Sequence, residues 1–262
     1  MIAPGPSFRQ RLIANERLVG VFVKTPAPQV IEILGAAGFD FVVIDAEHAP
    51  FDRTSTDLAI LAARAAKVEA IVRTPSCDPT VLSAPLDDGA AGILAPHVDS
   101  AKTARQVVAA CRYSHGRGYS NSPRGGGYGA RPLWDHIAHA DDAAAVIAMI
   151  EDPEAVKDID EILAVDGIDA VFVGRADLTL AMGDRTADSR HANAAARAVL
   201  SAARRAGKPA CIHVGAAAEA GVWLDAGATA IIISSDQSLM KSAALGALET
   251  FANLARAERA QG

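Results

Sequence analysis

The stretch Phe41-Val42-Val43-Ile44-Asp45-Ala46-Glu47-His48 places two acids and a histidine directly after four apolar, β-favouring residues. A short continuous apolar run of this kind reads as a strand buried on both faces. Titratable side chains at its end are costly in a core and suit the mouth of an α/β enzyme. His48 is the natural proton shuttle of the group, and Asp45 could fix its tautomer. Other strand ends carry comparable chemistry. Arg73 closes Ile71-Val72-Arg73, Glu151 closes Ala148-Met149-Ile150-Glu151, and Asp177 lies in Val173-Gly174-Arg175-Ala176-Asp177. Glu151 and Asp177 are hard oxygen ligands that could share one divalent cation, with waters or substrate in the open positions. Arg73 offers a planar, permanently charged fork for a carbonyl or carboxylate oxygen. The plain alternative for Arg73 is a salt bridge that holds Asp45 or Glu47. The backbone N–H groups of Gly174 to Asp177 could cradle an anion at a helix start.

Positioning these residues requires a set of strands whose ends converge. Short apolar runs bounded by Gly, Pro or charge occur at 19–23, 39–44, 70–72, 91–94, 145–150, 170–173, 209–212 and 229–233. Ala-rich segments of helical period fill most of the gaps, at 29–37, 57–66, 101–111, 154–165, 192–206 and 216–225. Glycines recur where a helix must hand over to a strand, as in Asp88-Gly89-Ala90 and Asp166-Gly167-Ile168-Asp169. Eight strands alternating with helices predict a parallel sheet, and the count favours a closed (β/α)8 TIM barrel spanning 1–262 as one α/β domain. The glycine-rich connection from Ser114 to Gly129 breaks the rhythm. Its length and composition predict a mobile loop over the mouth rather than a domain linker. From Leu239 onward a final amphipathic helix with a charged tail is expected. Asp87, just before the fourth strand, lies at the wrong end for its own subunit's site and reads as helix termination.

Half of the 262 residues are hydrophobic, enough for a sizeable core. The formal net charge is −6 and no Lys/Arg tract occurs, which disfavours nucleic acid as a partner. No apolar run is long enough to span a bilayer. The start, Met1-Ile2-Ala3-Pro4-Gly5-Pro6-Ser7, lacks the pattern of a secretory signal. Cys77, Cys111 and Cys211 are odd in number and far apart, so neither a disulfide framework nor a cysteine zinc site is indicated. A reducing cytoplasm is the expected setting.

These residues, in this order, resemble the HpcH/HpaI family of metal-dependent pyruvate aldolases. The likeness is carried by 38–50, by Val72-Arg73, by Leu86-Asp87-Asp88-Gly89-Ala90, by Ile150-Glu151 and by 166–178. It implies a barrel that binds Mg2+, Mn2+, Co2+ or Zn2+ through Glu151 and Asp177 and uses no organic cofactor. It further implies a 2-oxo acid, pyruvate or hydroxypyruvate, held by the amides of Ala176 and Asp177, with Arg73 polarising its keto oxygen. His48, paired with Asp45, would be the base that takes the C4-hydroxyl proton and releases an aldehyde, with Glu47 supporting the metal from behind. The resemblance also implies a trimer-of-dimers hexamer in which Asp87 reaches a neighbouring subunit's site. Four departures bear on substrate choice. Met149 stands where Gln is common, Arg175 where Pro is common, and His213 where an apolar aldehyde-facing residue is usual. The segment Tyr113-Ser114-His115-Gly116-Arg117-Gly118 is shortened.

Three rival readings remain. Lys24 ends the first strand and could form a Schiff base, although a Glu–Asp metal pair has no purpose in that mechanism. The same barrel could decarboxylate oxaloacetate or cleave an acyl-CoA, but the chain shows no basic cluster for a nucleotide. A non-catalytic metabolite-binding barrel would leave the His48–Arg73–Glu151–Asp177 set unexplained.

Overall fold

A computed structural model describes residues 5–185 and 189–259. Part of the stretch read for a signal, 1–4, and the last of the charged tail, 260–262, lie outside them. Eight parallel strands close into a barrel in chain order, with β1 bonded to both β2 and β8. They are β1 (Leu18–Val23), β2 (Phe41–Asp45), β3 (Glu69–Arg73), β4 (Gly92–Ala95), β5 (Ala145–Ile150), β6 (Ala170–Val173), β7 (Ala210–Val214) and β8 (Ala230–Ser235). Each expected strand is present within two residues. The helices are α1 (Phe8–Ile13), α2 (Pro28–Ala36), α3 (Arg53–Ala66), α4 (Pro79–Asp87), α5 (Ala101–Cys111), α6 (Leu133–Ala143), α7 (Pro153–Lys157), α8 (Ile159–Leu163), α9 (Arg175–Ala181), α10 (Arg190–Arg205), α11 (Ala220–Ala226) and α12 (Asp236–Arg259).

Strand alternation divides the apolar residues between two cores. Phe22, Val43, Ile71, Leu94, Ile147 and Phe172 point into the barrel, while Val42, Ile44, Val72, Ile93 and Val146 pack outward on the helices. Gly20 makes room for this filling, because a Cβ there would stand 2.4 Å from the Phe41 ring. Below the strands, α1 plugs the barrel. Ser7 caps it with a reciprocal bond to Gln10, and Phe8 meets the Phe41 ring at 5.1 Å. The plug is pinned by Arg9, which donates to buried Asp169 at 2.9 Å, and Asp169 also takes Arg112 and the Val146 N–H.

Local chemistry moves several boundaries. The Asp52 capping box starts α3 at Arg53, four residues earlier than hydrophobic period suggests. Residues 154–165 form two short helices, and α4, which holds Pro79 at its start and Pro85 inside it, escapes a reading by helical period.

The glycine-rich connection is a correction. It does not cover the mouth: it packs under the opposite end of the barrel, where Arg117 Nη2 stands 2.6 Å from Asp87 and Arg124 Nη1 donates to the Asp88 carbonyl at 2.9 Å. It is also folded, with short 3-10 turns at Tyr113–His115 and Arg124–Gly126 before α6. The physical reason is topological. This segment leads from a helix into a strand, and in a parallel barrel every such connection returns to the N-terminal face.

Helix α12 leaves the barrel after touching β1 and β8, and Leu245, Leu248, Phe251 and Leu254 along it are exposed. No helix among the described residues is long and apolar enough to cross a membrane. The three cysteines are free thiols.

Candidate active site

The C-terminal strand ends gather the expected residues around a cleft of about 760 Å³. Its walls include Lys24 after β1, His48 after β2, Arg73 at the end of β3, Gly174 to Asp177 after β6, and His213 in β7. Asp45, Glu47 and Glu151 are not part of the lining itself, and neither is Asp87. It ends α4 at the other face of the barrel, beside a second cavity of about 310 Å³, and pairs with Arg117.

Asp45 and Arg73 are register partners on β2 and β3. The Arg73 Nε and Nη2 donate to the two Asp45 oxygens at 3.0 and 2.7 Å, a fork-to-carboxylate pair in which both residues are buried. Lys24 Nζ adds a contact to Asp45 at 3.3 Å. Burial alone would raise the Asp45 carboxyl, but the Arg73 bonds and charge outweigh it and hold the group below the usual carboxylate range. Arg73 Nη1 also stands 3.2 Å from Glu47 Oε2.

This geometry alters one expectation. Asp45 does not touch the His48 imidazole; it accepts the His48 backbone N–H at 3.0 Å. The imidazole is nearer to Glu47, at 3.5 Å, and its side chain is 58% exposed. The cause is the turn after β2, which sends the His48 ring toward solvent while the Asp45 side chain stays in the strand layer under Arg73.

Glu151 is 2% exposed at the end of β5. Burial pushes its carboxyl up, the charges of Asp177 and Glu47 add to the push, and His97 opposes it, leaving the group at about 7. His97 was not foreseen. Its backbone, at φ +49°, turns its N–H onto Glu151 Oε1 at 2.8 Å, and its ring lies among Glu151, Asp152 and Glu47. The rule that strand ends collect chemistry would have found it in Ala95-Pro96-His97. Gly174 is required here, since a Cβ would stand 2.6 Å from Glu151 Cβ and 3.0 Å from its Oε2. Glu47 Oε2 is buried without an aligned hydrogen bond. Buried, mutually repelling hard oxygens of this kind suit a divalent cation. Among the described residues no cluster of three or more His, Cys, Asp or Glu could hold one, so Glu151 and Asp177 would need water or substrate to complete the shell.

In β7, burial and the charge of Arg175 push the His213 imidazole down from its ordinary value. Its ring packs on Phe22 at 5.7 Å.

Comparison with known proteins places this geometry. The profile of the HpcH/HpaI aldolase/citrate lyase family matches residues 18–243. The chain is 34% identical over 239 residues to a 5-keto-4-deoxy-D-glucarate aldolase of Klebsiella pneumoniae subsp. pneumoniae, covering 90% of this chain and 93% of that one. Among solved structures, a HpcH/HpaI aldolase/citrate lyase family protein from Burkholderia cenocepacia superposes with TM-score 0.87 and 31% identity, covering 93% of this chain and 98% of that one. A citrate synthase, SbnG, superposes with TM-score 0.84 and 30% identity, covering 95% and 98%.

Proposed function

The chain belongs to the HpcH/HpaI aldolase/citrate lyase family, and from that premise we propose that it is a divalent-metal-dependent aldolase. It would reversibly cleave a 4-hydroxy-2-oxo acid into pyruvate, or hydroxypyruvate, and an aldehyde. One observation carries the reading: the cleft sets the Arg73 fork, the His48 imidazole and the Gly174–Asp177 backbone around one space, with Glu151 buried behind Gly174.

A cation held by Glu151 and Asp177 (Mg2+, Mn2+, Co2+ or Zn2+) would supply positive charge against the negative charge that builds on the substrate's 2-oxo oxygen. The chain's own groups do the rest. The amides of Ala176 and Asp177 hold the substrate carboxylate. Arg73, fixed in place by Asp45, directs its remaining N–H donors at the 2-oxo oxygen. His48 takes the proton from the C4 hydroxyl, the pair left on that oxygen becomes the second bond of the aldehyde carbonyl, and the C3–C4 bond breaks. The released pair leaves an enolate over C3, C2 and the 2-oxo oxygen, which a proton at C3 converts to pyruvate. The geometry favours Glu47, rather than Asp45, as the carboxylate that orients the His48 ring. Asp45 then acts through Arg73 and not on the proton.

One rival loses support and another stays open. Lys24 Nζ stands 3.3 Å from buried Asp45 and so has a structural partner, which gives the Schiff-base reading no support of its own. The likeness to a citrate synthase keeps other carbon–carbon chemistry on an oxo acid as the second reading. Incubation with a 4-hydroxy-2-oxo acid tests the choice. Cleavage should stop with EDTA and return with Mn2+ or Mg2+, and activity indifferent to EDTA would overturn the metal role. We further propose a cytoplasmic homo-oligomer, a trimer-of-dimers hexamer, in which Asp87 of one subunit faces its neighbour's cleft. The exposed apolar side chains along α12 support assembly with further copies.

A further inference from the structure

The cavity of about 310 Å³ beside Asp87 lies under the barrel and shares no lining residue with the cleft. Four arginines and two histidines line it, Arg64, Arg117, Arg124, Arg131, His136 and His139, against two carboxyls, Glu69 and Asp87. The chain as a whole carries −6, so the cavity reverses the overall sign. Several elements converge to build it. Arg64 lies in the last turn of α3, Arg117 and Arg124 come from the glycine-rich connection, Arg131 precedes α6, and both histidines stand in α6.

The side chains there are fixed in place with polar atoms left over. Arg117 stacks 4.6 Å over the Tyr113 ring and gives Nη2 to Asp87 at 2.6 Å, but its Nε is buried with no acceptor. Arg124 gives Nη1 to the Asp88 carbonyl at 2.9 Å and stands 2.6 Å from Asp57, and its Nε is likewise buried and unpaired. His136, 2% exposed, meets the Tyr113 hydroxyl through Nε2 at 3.2 Å and leaves Nδ1 unpaired. Among the described residues six buried side-chain polar atoms lack a partner, and three belong to residues that wall this one cavity. Such atoms are costly to bury, so three around one space point to a ligand that bears acceptors. The local field agrees. Burial pushes the His136 imidazole down and the charges of Arg117 and Arg131 add to it, while Arg131 does the same to buried-side His139. Burial pushes the Glu69 carboxyl up, which weakens the opposing negative charge.

A carboxylate offers two coplanar oxygens and suits a single arginine fork, whereas a phosphoryl group spreads its oxygens and accepts from several directions at once. Arginines that arrive from separate elements fit the second. The volume lies at the small end of the range for ligand pockets, which leaves room for a short carbon chain beside the phosphate. We infer that this cavity binds a small phosphate monoester through Arg117, Arg124 and Arg131, at the end of the barrel opposite the cleft. The inference goes beyond the aldolase reading and does not depend on it.

The test is calorimetry on the full-length protein in EDTA, which removes any phosphate held by a metal ion. Glycerol 3-phosphate, inorganic phosphate and succinate are the probes. Glycerol 3-phosphate should bind at least as tightly as inorganic phosphate, and succinate more weakly than either. Arg117→Gln and Arg131→Gln should each weaken glycerol 3-phosphate about 10- to 100-fold, the weight of one charged donor. Arg131, whose bond to the Gly125 carbonyl is long at 3.2 Å, serves even if loss of the Arg117–Asp87 pair disturbs folding. Arg175→Gln, on the cleft wall, should leave the affinity unchanged and so separates the two sites. Absence of binding to the wild-type protein would mean that the cavity is closed or filled in the assembled chain, and would overturn the site. Equal affinity in both cavity variants, or a loss confined to Arg175→Gln, would overturn its location. Succinate binding as tightly as glycerol 3-phosphate would overturn the phosphoryl class, and exclusion of glycerol 3-phosphate where inorganic phosphate binds would overturn the ester.

Discussion

Asp45 and Arg73 show how one residue's role follows from what fills its lone pairs. Both Asp45 oxygens are taken by Arg73, with Lys24 and the His48 N–H completing the set. Removing one partner of a buried pair strands the other, at a cost of about 3–5 kcal/mol. Asp45→Ala should therefore lower unfolding stability by roughly that amount in urea titration; a variant as stable as the parent would show that the pair is not structural. Glu151 supplies a pH signature. Its carboxyl sits at about 7, so a cation must displace a proton below that pH. Mn2+ affinity should climb about tenfold per unit toward pH 7 and level off above it, as calorimetry can read. The same shift has a second sign: the folded chain binds this proton more tightly than the unfolded one. In the metal-free protein its stabilising effect is full at low pH and fades as pH rises to about 7. Glu151→Gln should lose Mn2+ binding, whereas His48→Ala should keep it and lose about 100- to 10,000-fold in rate, the usual weight of a general base. Matching loss of metal in both variants would contradict that division of roles.

At the scale of elements, strand ends act as a rigid frame and the short connections after them aim the groups. Gly174 shows how tight that frame is, since its missing side chain is the space that Glu151 occupies. Gly174→Ala should displace Glu151 and weaken Mn2+ binding without altering the charge of the site. Unchanged affinity by calorimetry would mean that the two segments can separate freely. The lower end obeys different demands. There α1 serves stability, with Phe8 closing the barrel on Phe41. Phe8→Ala should cost about 3–5 kcal/mol of stability and leave Mn2+ affinity intact, the reverse of the pattern for Gly174→Ala.

For the molecule as a whole, α12 is the element the barrel does not absorb. Leu245, Leu248, Phe251 and Leu254 are between 56% and 71% exposed. If copies of the chain cover them, Leu248→Asp with Phe251→Asp should shift the mass seen by light scattering toward a smaller species; an unchanged mass would remove α12 from the interface. Much of this molecule was legible from residue order alone. Apolar runs of strand length and glycine-ended helices specify an eight-stranded parallel barrel, and charged residues at the strand ends point to several of the groups that meet at its cleft, because burial and periodicity are local properties. What the order of residues could not show was which groups meet. The Asp45–Arg73 pair depends on register between β2 and β3, and the His97 grip on Glu151 depends on one left-handed backbone position. The side of the barrel on which the glycine-rich segment lies follows from connection topology, not from glycine content. The cluster Asp45-Glu47-His48 thus announced a site by its composition. Only tertiary packing decided which of its members meet, satisfying Asp45 through Arg73 and leaving His48 beside Glu47.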